Sequence, residues 1–384
     1  MPAPYYFQIP TQIVYGRDSL RQLGDLARKF NVSKAQVITD PGVASSGVLE
    51  QVLDQLKKSG IEWTVFDQVE VNPTVQTADS AADQYKREGC DGIIALGGGS
   101  PLDAGKAVGV LASNPGKAVD YLGVDKVKAP SAPVIAIPTT AGTAAEITDV
   151  TVLTDPAKKA KIGLRSAYVA PRVALLDPVL TLGLPPIPTR DSGLDALTHA
   201  VESFICVNAW AGSDALALKA IELIGKYLRT AVHNGKDLEA RDGMLTASLL
   251  AGMAFHNTKL TLVHAITGPL GGAFNLPHGA INAIILPHAM EFMLPGAIEK
   301  YTQIAVALGE PVEGLPKRLA AEKAVSAVKQ LSQDVGLPAG LSFYGVTDEA
   351  LLPLSKTIAG SFMIPLAPRV ANADEILAVC QASL

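Results

Sequence analysis

Cysteine is scarce. Cys90, Cys206 and Cys380 are the only three thiols in 384 residues, and no C-x-x-C pair occurs. An odd number of distant thiols gives neither a disulfide framework nor a thiolate zinc site, and it points to a reducing compartment, the cytoplasm. Charge is sparse too, at 18% Asp, Glu, Lys and Arg with a net charge of −5, and no Lys/Arg block occurs. That balance argues against nucleic acid or an anionic membrane surface as a partner. No apolar run reaches the ~18 residues of a membrane-spanning helix. The first residues, through Gly16, are polar, Pro-containing and strand-like, without the basic and apolar regions of a signal peptide. The 34 glycines and 26 prolines are scattered, so neither a collagen-like nor a low-complexity chain is indicated. Hydrophobic residues, at 48%, suffice for a large core. The length allows two or three domain-sized units, since single cores stop growing at roughly 250–300 residues.

The first half alternates strand and helix patterns. Strand-like runs occur at Lys34–Asp40, Glu62–Val71, Gly92–Leu96 and Pro133–Ile137, with helical periodicity at Gly47–Gly60, Thr77–Gly89 and Asp103–Asn114. Continuous apolar strands separated by helices predict a parallel sheet covered on both faces, Rossmann-like in class. Beyond Leu182–Thr189 strand signals fade, and helices are expected at Ser192–Ala209, Asp214–Val232, Leu238–Asn257, Leu260–Phe274, Ala297–Leu308, Pro316–Val335 and Asp348–Ala359. The expectation is an α/β domain over residues 1–184 and an all-α domain over 185–384, with a ligand cleft between them.

The strand Gly92–Leu96 runs into Gly97-Gly98-Gly99-Ser100-Pro101-Leu102-Asp103 and then into helix. Three glycines permit a tight turn and close approach of a ligand. Ser100 reads as an N-cap, Pro101 as the first helical residue, and Asp103 as its capping-box partner. A helix N-terminus placed there suits a phosphate. The turn is not a G-x-G-x-x-G fingerprint, and the acidic strand end, Asp40, precedes the glycines. Asp40 could accept hydrogen bonds from adenosine ribose hydroxyls and repel a 2′-phosphate; otherwise it is a turn residue. A second turn, Pro138-Thr139-Thr140-Ala141-Gly142-Thr143, follows the next buried strand and offers hydroxyls and N–H groups.

The six histidines lie at 199, 233, 256, 264, 278 and 288. Asp195 and His199 are four apart on one helical stretch and share a face. His264 lies in an apolar helix, and His278 is held between Pro277 and Gly279. Any one of these alone is more often a satisfied core or surface group. Together, one carboxylate and three imidazoles form a mixed O/N set suited to Fe(II), with Zn(II) as the alternative. His233 reads as a surface loop residue, and His288 as structural or cleft-lining.

The GGGSPLDAGK, IPTTAGTAAE and GLDALTHAVES stretches, the LVH segment and LPHG occur in the order found in the iron-containing (group III) alcohol dehydrogenases, and the closing Leu366–Leu384 segment is also similar. The resemblance spans the whole chain. It implies a dinucleotide-binding domain, a helical metal-binding domain and a homodimer or larger assembly. It also implies hydride transfer between a nicotinamide dinucleotide and a small alcohol or aldehyde, with the metal acting on the substrate oxygen, while the choice of NAD(H) over NADP rests on Asp40. The metal ligands implied are Asp195, His199, His264 and His278. The implied cofactor contacts are Asp40, Gly97, Gly98, Gly99, Ser100, Asp103, Thr139, Thr140, Thr143 and Lys161.

Two positions depart from the family pattern. Gly268 stands where a histidine four residues after the third ligand is common, so the proton route passes instead through water, a ribose hydroxyl or His256. The segment His256–Thr261 is bulkier than the small, Gly-rich family version. Lys259 within it is a candidate anchor for an anionic aldehyde carrying a carboxylate, sulfonate or phosphonate; a solvated helix lysine is the plainer reading. Zinc-dependent glycerol dehydrogenases and dehydroquinate synthases share the architecture. A non-catalytic nucleotide or metal sensor is the remaining alternative.

Overall fold

The computed structural model describes residues 5–158 and 160–384. These divide into two compact units. One holds Ile9–Thr140 and Ala144–Gly183. The other holds Leu184–Leu384 with Ala141–Thr143 and the N-terminal segment through Gln8.

The first unit is built on parallel strands β1 (Gln12–Tyr15), β2 (Lys34–Ile38), β3 (Glu62–Phe66), β4 (Gly92–Gly97), β6 (Val134–Pro138) and β9 (Val173–Leu176), β5 being a short strand elsewhere (Gly123–Val124). Their order in the sheet is β1-β9-β6-β4-β2-β3. β4 and β6 lie in the middle, and every residue of both is buried, which is why they read as unbroken apolar runs. Alternate side chains feed opposite faces. Ile93 and Ala95 pack with Ala78, Ala81, Ala104 and Val108 from α4 (Val75–Arg87) and α5 (Gly99–Ser113). Ile94 and Leu96 pack with Leu23, Leu26, Val52 and Leu56 from α1 (Leu23–Lys29) and α3 (Val48–Lys58). Two short helices, α2 (Pro41–Ser45) and α6 (Ala118–Tyr121), fill the connections.

The expected parallel, doubly covered sheet is present, but some strands differ from the sequence reading. The run expected to extend to Val71 ends at Phe66. The hairpin β7 (Val150–Asp155) and β8 (Ala160–Arg165), which joins β5 in a second sheet, carried no signal strong enough to read. Its strands are only half buried, and β8 carries Lys161 and Arg165 among its apolar residues.

The second unit is helical: α7 (Pro186–Ile205), α8 (Ala211–His233), α9 (Leu238–Thr258), α10 (Leu262–Phe274), α11 (His278–Met293), α12 (Ile298–Ala307), α13 (Lys317–Asp334), α14 (Asp348–Ala359) and α15 (Ala373–Ala382). No strand lies beyond Leu184 among the described residues. The central α7 starts at Pro186, earlier than the expected Ser192, because proline suits the first helical turn. It is buried continuously from Gly193 to Ile205, polar Asp195, Thr198, His199, Glu202 and Ser203 included, so it has no solvent-facing polar side there. Tyr5 and Phe7 pack on Trp210 with ring centroids 5.8 and 6.3 Å away, which ties the N-terminal segment to this unit.

Candidate functional site

In the α/β unit the chain moves outward from β2 to β3, then returns to place β4 on the other side of β2. The strand order therefore reverses between β2 and β4, and in open parallel sheets ligands bind beyond the carboxyl ends at such a point. Asp40 lies two residues beyond β2, and Gly97 ends β4 with Gly98 and Gly99 leading into α5. The two meet there: a Cβ on Gly97 would lie 3.2 Å from the Asp40 carboxylate and 2.7 Å from the Pro101 ring, and Gly97 has φ +143°. Only glycine fits both the backbone and the space. Asp40 caps α2 by accepting from the Val43 N–H at 2.9 Å.

The capping-box expectation for Ser100 and Asp103 is not met. Gly98 is the N-cap and Gly99 opens α5, with no side chain capping it. The tight turn at Gly97 starts the helix before Ser100, whose Oγ accepts from the Asn72 N–H at 3.2 Å. Asp103 is drawn the other way. Its carboxylate lies 3.1 Å from the buried Lys106 ammonium and accepts from the Val152 N–H at 3.2 Å. An uncapped helix N-terminus behind three glycines still presents N–H groups suited to a phosphate. The second turn lies alongside: β6 pairs with β4, the Thr139 N–H donates to the Gly97 carbonyl at 2.9 Å, and Thr140 flanks Gly98. Lys161 is on β8, where burial pushes its ammonium pKa down. Thr143 belongs to the Ala141–Thr143 segment of the helical unit.

The metal candidates converge in the helical unit. Asp195 and His199 sit one turn apart on α7, His264 near the start of α10, and His278 at the first position of α11. Asp195, His199 and His264 are buried, and one donor atom from each lies within 4.8 Å of the others. His199 Nε2 is 3.8 Å and His278 Nε2 4.0 Å from Asp195 Oδ1. An ion with bonds near 2.1 Å spans donors up to ~4.2 Å apart, so both separations fit one ion. The Asn282 side-chain nitrogen donates to Asp195 Oδ1 at 2.7 Å and lies 3.1 Å from both His264 Nε2 and His278 Nε2. Three potential acceptors thus surround one amide nitrogen that has only two hydrogens to give, while the other amide atom, Asn282 Oδ1, is buried without a hydrogen-bond partner. The donor chemistry and this convergence fit a divalent ion.

Local electrostatics favour ligand-ready protonation states. Burial pushes the His199 imidazole pKa down, which keeps it neutral, and its Nδ1–H faces the Gly142 carbonyl at 3.2 Å, leaving Nε2 for the centre. Burial alone would raise Asp195, but the positive charge that His199, His278 and His264 carry when protonated, with the Asn282 amide, outweighs it and holds the carboxyl below its ordinary range. Gly279 lets α11 approach α7, since a Cβ there would lie 2.3 Å from the Asp191 carbonyl oxygen.

Two polar residues beside these donors escaped the sequence reading, Glu202 and Asn282, both with no exposed surface. Spacing was the available signal. Glu202 is three residues after His199 and seven after Asp195 on α7, and Asn282 is four after His278 on α11.

The remaining candidates are placed as follows. His256 is in the last turn of α9, and its carbonyl accepts from the Lys259 ammonium at 2.6 Å. Lys259 thus reaches back to the end of its own helix. Gly268 lies on α10, where an added Cβ would meet nothing within 4 Å. His233 closes α8 with Nε2 2.8 Å from the Asp334 carbonyl, and His288 is half-buried on α11.

Comparison with known proteins agrees with this arrangement. Residues 10–178 match the family model described as iron-containing alcohol dehydrogenase, and 189–384 that of the family's C-terminal part. The chain is 37% identical over 378 residues to the NAD-dependent methanol dehydrogenase of Bacillus methanolicus, covering 98% of this chain and 99% of that one. It is also 37% identical over 375 residues to the sulfoacetaldehyde reductase of Bilophila wadsworthia, covering 97% of each. A crystal structure of a 1,3-propanediol oxidoreductase superposes over the whole of both chains with a TM-score of 0.97 at 38% identity. Matched along both its α/β and its helical unit, the chain belongs to the iron-containing alcohol dehydrogenase family.

Proposed function

We propose that the chain is a metal-dependent, NAD(H)-linked alcohol dehydrogenase or aldehyde reductase acting on a small alcohol or aldehyde. The observation that carries this reading is the gathering of donor atoms of Asp195, His199 and His264 within 4.8 Å of one another, with His278 Nε2 4.0 Å from Asp195 Oδ1. When bound, the divalent ion supplies Lewis acidity toward the substrate oxygen, and the nicotinamide gives or accepts the hydride. Asp195 contributes the negative charge of the donor set, and Asn282 holds that carboxylate in place. Fe(II) is the ion proposed, and the same set would accept Zn(II).

In the α/β unit, the N-terminus of α5 and the glycines before it would receive the pyrophosphate, with Thr139 and Thr140 supplying polar contacts; Thr143, on the helical unit, is proposed as a cofactor contact from the family alone. Asp40 would accept from the ribose hydroxyls and disfavour a 2′-phosphate, which favours NAD(H) over NADP. Asp103 and Lys161 would contribute less directly, Asp103 through Lys106 and the β7 backbone.

Gly268 carries no proton donor, so the proposed proton route runs through water, a ribose hydroxyl or His256. An unchanged pH–rate profile in His256→Ala would remove it from that role. Lys259 is proposed as an anchor for an anionic aldehyde only as a second reading, supported by the sulfonated substrate in the name of one relative at 37% identity. Its hydrogen bond to the His256 carbonyl favours a capping role. Lys259→Ala should therefore leave the preference between anionic and neutral aldehydes unchanged if capping is its whole function. The three buried cysteines suit a reducing cytoplasm, and assembly as a homodimer or larger is proposed from the family.

The deciding experiment is NADH oxidation followed at 340 nm after reconstitution with Fe(II) under anaerobic conditions, or with Zn(II), across neutral and anionic short aldehydes. Metal-dependent turnover is expected. Tight NADH binding with no turnover for any metal and aldehyde would overturn the dehydrogenase reading in favour of a non-redox sensor.

A further inference from the structure

Glu202 is a carboxylate with no exposed surface in an apolar helix, which is costly unless its oxygens are fully used. They are. Oε1 accepts from the Thr261 hydroxyl at 2.6 Å, the Thr261 N–H at 3.2 Å and the Val263 N–H at 2.7 Å. Oε2 accepts from the His264 N–H at 3.3 Å and faces His264 Nδ1 at 2.5 Å. The backbone donors are those at the start of α10, which has no side-chain cap of its own. One side chain from α7 therefore caps α10 and grips the ring of a residue on α10's first turn.

The His264 contact fixes a tautomer. A carboxylate can only accept, so Nδ1 must carry the proton, and in the neutral ring that leaves the lone pair on Nε2. Asn282 agrees from the other side, because its amide nitrogen, oriented by donating to Asp195, lies 3.1 Å from His264 Nε2.

We propose that Glu202 is the positioning residue of the metal centre: it holds His264 as the Nδ1–H tautomer with Nε2 directed at the shared point, and it fixes the backbone that carries that ring. This rests on the metal-centre reading above. Asp195, His199 and Glu202 then form one device, with α7 supplying two donors and the support for a third.

The substitution Glu202→Gln separates positioning from capping. The carboxamide oxygen can still accept from Thr261 and Val263, but its NH2 would face Nδ1. The ring would then have to accept there and protonate Nε2, which removes the donor. In metal-free wild-type protein, 15N-imidazole NMR should show His264 protonated at Nδ1 and bare at Nε2, with the signal assigned by its loss in His264→Asn. In Glu202→Gln the pattern should reverse. Zn(II) affinity, measured by competition with a chromophoric chelator, should fall about 10- to 100-fold. Thr261→Val removes one bond to the same carboxylate without touching His264, so it should lower stability while keeping Zn(II) affinity within about threefold. An Nε2–H tautomer in the wild type overturns the proposal even if Glu202→Gln does not fold. So does wild-type Zn(II) affinity in a folded Glu202→Gln. A wild type that binds no Zn(II) overturns the metal-centre reading itself, and this inference with it.

Discussion

Gly279 should be irreplaceable even by alanine, and the reason lies in the backbone. A Cβ at this position would sit 2.3 Å from the Asp191 carbonyl oxygen, 2.8 Å from its carbon and 3.3 Å from the Asp195 Cβ. The first two obstacles belong to the main chain of α7 and cannot rotate away. To restore van der Waals contact, α11 would have to retreat from α7 by about 1 Å. His278 precedes Gly279 on α11, and Asp195 is on α7. Their donor atoms, now 4.0 Å apart, would separate toward ~5 Å, beyond the ~4.2 Å that one ion with 2.1 Å bonds can span. Gly279→Ala should therefore cost about 1–3 kcal/mol of stability in the metal-free protein through overpacking. It should also weaken Zn(II) binding by about 100-fold or more, at least as much as losing an outer-shell partner. Urea unfolding of the metal-free protein and chelator competition measure the two effects separately. Gly268→Ala is the control. Its Cβ meets nothing within 4 Å on α10, so it should leave Zn(II) affinity unchanged and stabilise by about 0.5–1 kcal/mol through helix propensity. Wild-type Zn(II) affinity in Gly279→Ala would refute the close-approach argument.

Other perturbations are equally specific. Burial pushes the Glu146 carboxyl from 4.5 up to about 7, so the folded state keeps its proton longer than the unfolded chain. The stability associated with that proton is fully present below about pH 4.5, is lost as pH rises to about 7, and changes no further, an effect of about 3 kcal/mol. The stability difference between Glu146→Gln and the wild type should grow by that amount across the window in urea titrations; a pH-independent difference would contradict it. Asp40→Asn keeps an oxygen to cap Val43 but removes the charge, so the kcat/KM ratio for NADPH over NADH should rise about tenfold. An unchanged ratio would take cofactor selection away from Asp40. Zn(II) at about 100 times its Kd should add about 2.7 kcal/mol of stability, lost on chelation. An unmoved melting temperature would argue against a preformed site.

Much of the site was legible because its chemistry is local. Asp195 and His199 share a helical face by spacing alone, and Pro277-His278-Gly279 marked a held histidine whose glycine proves to be a close-approach position. The GGGS turn was legible as well, but its partnership with Asp40 was not secured by sequence, since it depends on β4 returning beside β2. The capping box misled because Ser100 and Asp103 have the right spacing, yet the positive φ at Gly97 starts the helix earlier and the buried Lys106 draws Asp103 away. Glu202 and Asn282 were hidden for a related reason. A polar residue in an apolar helix has no assigned face until neighbouring helices are placed, and α7 is buried nearly all round.

The segment from His256 to Thr261 shows how bulk in sequence can serve backbone direction. Lys259 has φ 77° and ψ 178°, a conformation that is essentially glycine's own and costs of order 1–3 kcal/mol for other residues. Its ammonium returns to the His256 carbonyl and its N–H to the Phe255 carbonyl, so its contacts close α9. Two residues later the Thr261 hydroxyl and N–H meet Glu202, and α10 begins. The strained residue thus stands between one helix end and the carboxylate that anchors the next. The strain is sustained because both flanks are fixed, and the turn it makes delivers His264 to the donor set. Lys259, weighed in sequence as an anchor for an anionic aldehyde against a plain helix lysine, stands in this geometry at the end of α9, where its ammonium and N–H meet carbonyls of that helix.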